Sequence, residues 1–130
     1  MKRAITVVAG IVWKDKVYLA ARRPENAPFG GFWEFPGGKI EPEETPEQAL
    51  VREFQEELDI TPREWSFWKT VTHEYEKLSV TLLFFHITRF DGTIAPQEGH
   101  TVQWVTPEEA CTLNFLEADI PIVQQLASSC

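Results

Sequence analysis

Arg52, Glu53, Glu56 and Glu57 are the residues of this sequence whose types and spacing could do chemistry. On a helix, positions 53, 56 and 57 are related by three and four residues, so their carboxylates share one face. Such spacing costs a few tenths of a kcal/mol per like-charged pair, and the C-terminal half of a helix disfavours anions further. Two readings are open: a solvated acidic face, or a site for a hard cation such as Mg²⁺ or Mn²⁺, which oxygen ligands suit. Two neighbours favour the second. Arg52 can pair with Glu56 one turn on or reach back to another carboxylate. Upstream, Pro36-Gly37-Gly38 lets a backbone carbonyl come close to a metal, and Lys39 follows where a phosphate could be met.

The elements that must position this cluster can be read around it. Thr45, Pro46 and Gln48 form a capping-box start, and Ala49, Leu50, Phe54 and Leu58 recur at helical spacing, so a helix is expected over 46–58. Ahead of it, Ala4–Trp13 and Val17–Ala21 read as strands joined at Lys14-Asp15-Lys16. Pro24–Gly31 reads as a loop, and Phe32–Phe35 as a short strand ending at the glycines. Behind it, Ser66–Glu74, Leu78–Phe90 and Val102–Val105 read as strands. Thr106-Pro107-Glu108-Glu109 repeats the helix-start grammar, and a last helix is expected from about Asp119 to Ala127. The order implies an α+β fold, a mixed sandwich in a single domain over residues 1–130.

Composition narrows the function. A chain of 130 residues, 43% apolar, with five Trp and nine Phe, has room for one packed domain. A net charge of −8 argues against stable binding to nucleic acid, which needs clustered Lys and Arg, but not against a small nucleotide substrate. Cys111 and Cys130 are too few for a disulfide framework and read as free thiols; they and His73, His86 and His100 lack zinc spacing. Lys2 and Arg3 before Ala4–Trp13 imitate a short leader. The run is β-branched, however, and ends in charges, so a strand explains it better. No membrane partner and a cytoplasmic location are expected, with a monomer favoured over a homodimer.

The residues Gly38, Glu44, Arg52, Glu53, Phe54, Glu56, Glu57 and Ile60 match G-x5-E-x7-R-E-U-x-E-E-x-G-U, where U is bulky and apolar. The chain therefore resembles the Nudix family, with its box at 38–60. Only the second glycine differs, Asp59 standing in its place, and Asp tolerates the left-handed conformation that ends a helix. Trp33–Glu41 and Glu44–Ala49 resemble the MutT branch, mutation-preventing enzymes that sanitise the nucleotide pool ahead of DNA replication and repair by hydrolysing 8-oxo-dGTP. The resemblance implies a Nudix-type α/β/α sandwich with a mixed sheet and a loop-helix-loop. It implies metal ligation by the Gly37 carbonyl, Glu53, Glu56, Glu57 and Glu98, with Mg²⁺ the expected ion. Glu98 by itself is an ordinary solvated loop acid. Glu53 is the expected ligand and base, Glu98 its competitor for the base role, with Glu44 and Arg52 orienting the cluster. Arg23 and Lys39 are candidates for phosphate contact. For the base, the resemblance points to Asp119, with Phe35 as a stacking candidate; the competing readings are a helix N-cap for Asp119 and a core residue for Phe35. Relatives acting on CTP or 5-methyl-dCTP also carry Ala118-Asp119-Ile120-Pro121, so a cytosine nucleotide remains the alternative substrate, and a binding module without catalysis a further one.

Overall fold

The computed structural model describes residues 2–97 and 99–128. Its centre is strand β1 (Arg3–Lys14), whose residues Val8–Val12 are all buried. Burial on both faces requires a layer on each side, which explains why this strand is apolar without alternation. On one edge β1 runs parallel to β6 (Leu78–Asp91), from Arg3 opposite Leu78 to Val12 opposite Ile87. On the other it pairs antiparallel with β4 (Gly37–Lys39), Val7 opposite Lys39 and Ala9 opposite Gly37. Strand β5 (Thr61–Glu74) lies antiparallel on the far edge of β6. After Val12 the chain turns through Asp15 into β2 (Val17–Arg22), which carries β3 (Trp33–Glu34) and β7 (Thr101–Val105) on its two edges. The sheet is mixed, as expected.

Helix α1 (Pro46–Leu58) covers one face. Its predicted stripe, Ala49, Leu50, Phe54 and Leu58, is fully buried against Val8, Val12, Leu19, Phe85 and Ile87. The helix sits so close that a Cβ on Gly10 would come within 2.5 Å of the Phe54 ring. On the other face, Ile11, Tyr18, Phe35 and Phe84 pack against Phe115, Ile122 and Val123. The last two residues belong to α3 (Ile120–Leu126), which follows the short helix α2 (Pro107–Ala110) and a 3₁₀ turn at Glu117–Asp119. The two apolar clusters on either side of β1 make the expected α/β/α sandwich.

Helix α1 starts and ends as the sequence implies. Thr45 Oγ1 accepts from the Gln48 N–H at 3.1 Å, and Gln48 Oε1 accepts from the Thr45 N–H at 2.9 Å. At the other end Asp59 takes φ 58° and ψ 35°, and the Ile60 N–H closes on the Phe54 carbonyl at 3.3 Å. This is a left-handed stop of the kind glycine makes without strain.

Three expectations are corrected. Gly37-Gly38 belongs to a strand rather than to the loop where a strand ends, because it completes the open edge of β1. Strand β5 begins at Thr61, not Ser66, because Pro62 is accommodated on an edge strand whose register shifts between Pro62 and Glu64. Cys111 is disulfide-bonded and not a free thiol; Cys130 lies outside the described residues. Among the described residues, no helix is long and apolar enough to cross a membrane.

The strain at Asp59 is removable. Asp59→Gly is expected to raise the unfolding free energy by about 1 kcal/mol, since a non-glycine residue pays roughly that to be left-handed. Urea denaturation of the two proteins checks it.

Candidate active site

One guanidinium organises the acidic face of α1. Arg52 Nε and Nη2 donate to Glu44 at 2.7 and 2.9 Å, and Nη2 also reaches the Lys39 carbonyl at 3.0 Å. Arg52 Nη1 donates to Glu53 at 2.8 Å, with Glu56 at 3.4 Å and Glu41 at 3.6 Å. Both expected pairings therefore hold together. These bonds to Arg52, with one from the Glu41 backbone, hold the Glu44 carboxyl down at about 2 against an ordinary 4.5.

Strand β4 passes directly over this face. A Cβ on Gly38 would sit 2.2 Å from Glu53 Oε2, and one on Gly37 would sit 1.9 Å from the Val8 carbonyl oxygen. The glycines are therefore spacers that let the strand lie between β1 and the carboxylates. The Gly37 N–H donates to Glu57 Oε2 at 3.3 Å.

Glu57 is only 7% exposed. Burial pushes its carboxyl upward, with Glu34 and Glu53 adding to the rise and His100 and the Gly37 N–H opposing it. His100 Nε2 lies 4.0 Å from Glu57 and 3.7 Å from Glu34, and Glu34 in turn takes Arg23 Nη1 at 3.1 Å. A second network, Arg23–Glu34–His100–Glu57, thus runs beside the first. The hydrogen bond to Glu34 is the main cause raising His100 above its ordinary value. No site role for Glu34 or His100 was read from the sequence, because they meet Glu57 only through space. Two backbone bonds tie the loop before β7 to the end of α1, Ala95 N–H to Leu58 and Gln97 N–H to Glu57. Glu98 lies outside the described residues.

Among the described residues, no three acidic, His or Cys side chains converge closely enough to form a finished metal site. The Arg52 guanidinium is bonded to Glu53 and reaches Glu56. The donor set still fits a hard divalent ion, being all oxygen, with a buried carboxylate, Glu57, beside the Gly37 backbone.

A cavity of about 620 Å³ begins at this point. Gly37, Gly38 and Glu34 form part of its wall; Leu82 and Val80 of β6 and Val7 of β1 supply apolar surface, and Ala118 and Asp119 another side. Asp119 is 4% exposed and makes no side-chain cap to α3, so the N-cap reading does not hold. Its carboxyl accepts from the Phe35 N–H, while Oδ1 has no partner. Burial, and secondarily Glu34, push this carboxyl up to about 8. The Phe35 ring is buried among Tyr18, Phe84 and Phe115 as a core residue that also lines the cavity. Phe29, 58% exposed, and Tyr75 face each other across 6.3 Å on the cavity wall; neither was flagged by the sequence. Of the two phosphate candidates, Lys39 is exposed, whereas Arg23 is held by Glu34 and the Pro28 carbonyl.

A sandwich of this topology, with a carboxylate helix under a glycine strand, defines a family, and the NUDIX domain model matches residues 2–126: the chain belongs to that family. Its members generally need a divalent metal. It is 38% identical to the CTP pyrophosphohydrolase of Escherichia coli (strain K12), over 94% of this chain and 90% of that protein. It is 35% identical to the 8-oxo-dGTP diphosphatase of the same organism, over 97% and 98%. Among solved structures it resembles MutT from a study of Aliivibrio salmonicida and Vibrio cholerae, with a TM-score of 0.82 and 37% identity over 95% and 97% of the two chains.

The lowered Glu44 value fixes an acid dependence. A carboxyl depressed by folding contributes stability fully above its unfolded value near 4.5, and that contribution is lost as pH falls towards about 2. Denaturant titrations should show Glu44→Gln losing stability less steeply than the wild type across that window.

Proposed function

We propose that this chain is a Mg²⁺-dependent pyrophosphohydrolase, with Mn²⁺ an acceptable substitute, that cleaves a nucleoside triphosphate to the monophosphate and pyrophosphate. Its foremost substrate in this reading is 8-oxo-dGTP, and it works as a monomer without nucleic acid bound. One observation carries the reading: the base-sized cavity ending at Asp119 and the box carboxylates share the Gly37-Gly38 strand as a wall. A nucleotide lying across that strand would put its base at one end and its phosphates at the other.

In this reading Glu53, Glu56, Glu57 and the Gly37 carbonyl hold the metal, with Glu98 a further candidate ligand. Divalent magnesium bound there would offset the negative charge of the triphosphate. Arg52 keeps Glu53 and Glu56 at their stations and is itself anchored by Glu44. Glu53 is the candidate to take the proton of the attacking water, and Glu98 competes for that role. Lys39 and, if released from Glu34, Arg23 meet the phosphates.

A second reading, hydrolysis of CTP or 5-methyl-dCTP, is favoured by the Asp119 carboxyl and by the similarity to a CTP pyrophosphohydrolase. A binding module without catalysis has less support, since every box acid is present.

Pyrophosphate release across 8-oxo-dGTP, dGTP, CTP, dCTP and 5-methyl-dCTP tests the assignment. A kcat/KM about 100-fold higher for 8-oxo-dGTP than for dGTP is expected; a cytosine preference would transfer the assignment to the second reading. Glu53→Gln should abolish hydrolysis with the fold retained, and full turnover by that variant would reject the metal site. Gly38→Ala should leave the melting temperature nearly unchanged, since its Cβ meets only the end of the Glu53 side chain. Displacing that carboxylate should still cost roughly 100-fold in kcat.

A further inference from the structure

Arg52 holds two of the three box carboxylates on the α1 face, Glu53 and Glu56. The third, Glu57, is turned towards different neighbours. Among the described residues its side chain has two polar contacts, one for each oxygen. The Gly37 N–H lies 3.3 Å from Oε2, and His100 Nε2 lies 4.0 Å from Oε1. The sheet and the loop before β7 explain why His100 stands there. Its chain neighbour Thr101 pairs with Arg22 of β2, while the adjacent β2 residue Ala21 pairs with Glu34, so β2 brings His100 and Glu34 to the same end of the sheet. The loop is tied to α1 at the residue in question, the Gln97 N–H donating to the Glu57 backbone carbonyl at 2.8 Å. His100 Nδ1 lies 3.3 Å from the Gln97 carbonyl oxygen. With Nδ1 engaged on its own loop, Nε2 is the nitrogen aimed at the carboxylates, with Glu34 Oε2 at 3.7 Å. Glu34 is fixed in turn, since Arg23 Nη1 donates to both of its oxygens at 3.1 and 3.2 Å. A ring engaged at both nitrogens has little freedom to rotate, and it can lend that order to the carboxylate beside it.

We propose that His100 is a positioning residue of the metal site: through Nε2 it holds the Glu57 side chain against the Gly37 strand, ready for a divalent ion, as Arg52 holds Glu53. The inference rests on the proposed role of Glu57 as a metal ligand. A group that orients a ligand in this way is worth about 10-fold to about 100-fold in metal affinity.

Mn²⁺ binding without nucleotide tests it, followed at constant pH by the loss of the free-ion signal in electron paramagnetic resonance. The wild type is compared with three variants. His100→Ala removes both contacts of the ring. His100→Asn sets an amide near the place of Nδ1 and keeps the loop contact, whereas His100→Gln reaches the place of Nε2 and keeps the carboxylate contact. The Kd for Mn²⁺ should rise ~10-fold or more in His100→Ala and His100→Asn, and stay within about threefold of the wild type in His100→Gln. Wild-type affinity in His100→Ala, or a His100→Gln variant that binds no tighter than His100→Asn, overturns the proposal. A role confined to the loop gives that second result, with Asn the better replacement. If His100→Ala does not fold, the Gln and Asn pair decides alone. Glu57→Gln separates this proposal from the reading beneath it. If the wild type takes up no Mn²⁺, or Glu57→Gln binds it equally well, Glu57 is not a ligand and both fall. Weak binding by Glu57→Gln beside unchanged binding by all His100 variants rejects the role of His100 alone.

Discussion

The closeness of α1 to the sheet is the constraint on which the other features depend. Phe54 fills the space over Gly10, Glu53 fills the space over Gly38, and the Gly37 backbone lies against Val8. A methyl group at any of these positions would have to displace a ring, a carboxylate or a strand. Because the helix is held there by a fully buried apolar stripe, its opposite edge is fixed as well, and Glu53 and Glu57 are delivered to the strand that separates them from the cavity. Packing that reads as ordinary core formation therefore sets the geometry of a charged site.

Charge is the second organising quantity. Several carboxylates on one helical face, towards its C-terminal end, oppose both one another and the helix dipole. Arg52 answers this by bonding to Glu44, Glu53 and Glu56 at once. Burial raises the carboxyl of Glu57, and His100 opposes that rise only in part. The site holds more negative charge than its own cations neutralise, which suits a divalent ion from solution.

Local features were legible in the sequence, and through-space ones were not. Helix α1 could be bounded at both ends because Thr45, Pro46, Gln48 and the apolar stripe all act within one element. The Arg52 pairings were foreseeable for the same reason. By contrast, Gly37-Gly38 forms a strand only because β1 offers an open edge, and Pro62 enters β5 only because that strand is itself an edge. The link from Arg23 through Glu34 and His100 to Glu57 joins four separate segments and has no sequence signature. At Asp119 two readings were evenly matched on sequence, a cap for α3 or a contact for the base; the direction of its carboxyl removes the cap, and direction is a tertiary property.

The parallel pairing of β1 with β6 also has a consequence for how the chain folds. Strand β1, apolar along most of its length, must wait for β6, which follows much later in the chain, before its central ladder can form. Contacts so distant in sequence slow folding, since a large loop must close before any of them is gained. The hairpin β5–β6 and helix α1 can each begin to form from local contacts, whereas β1 is completed late. Until then Val7–Val12 is an exposed strand with unpaired edges, the kind of segment that associates with other chains. The residue type that makes this strand a good centre for the sandwich is thus the one that makes the nascent chain most dependent on fast closure.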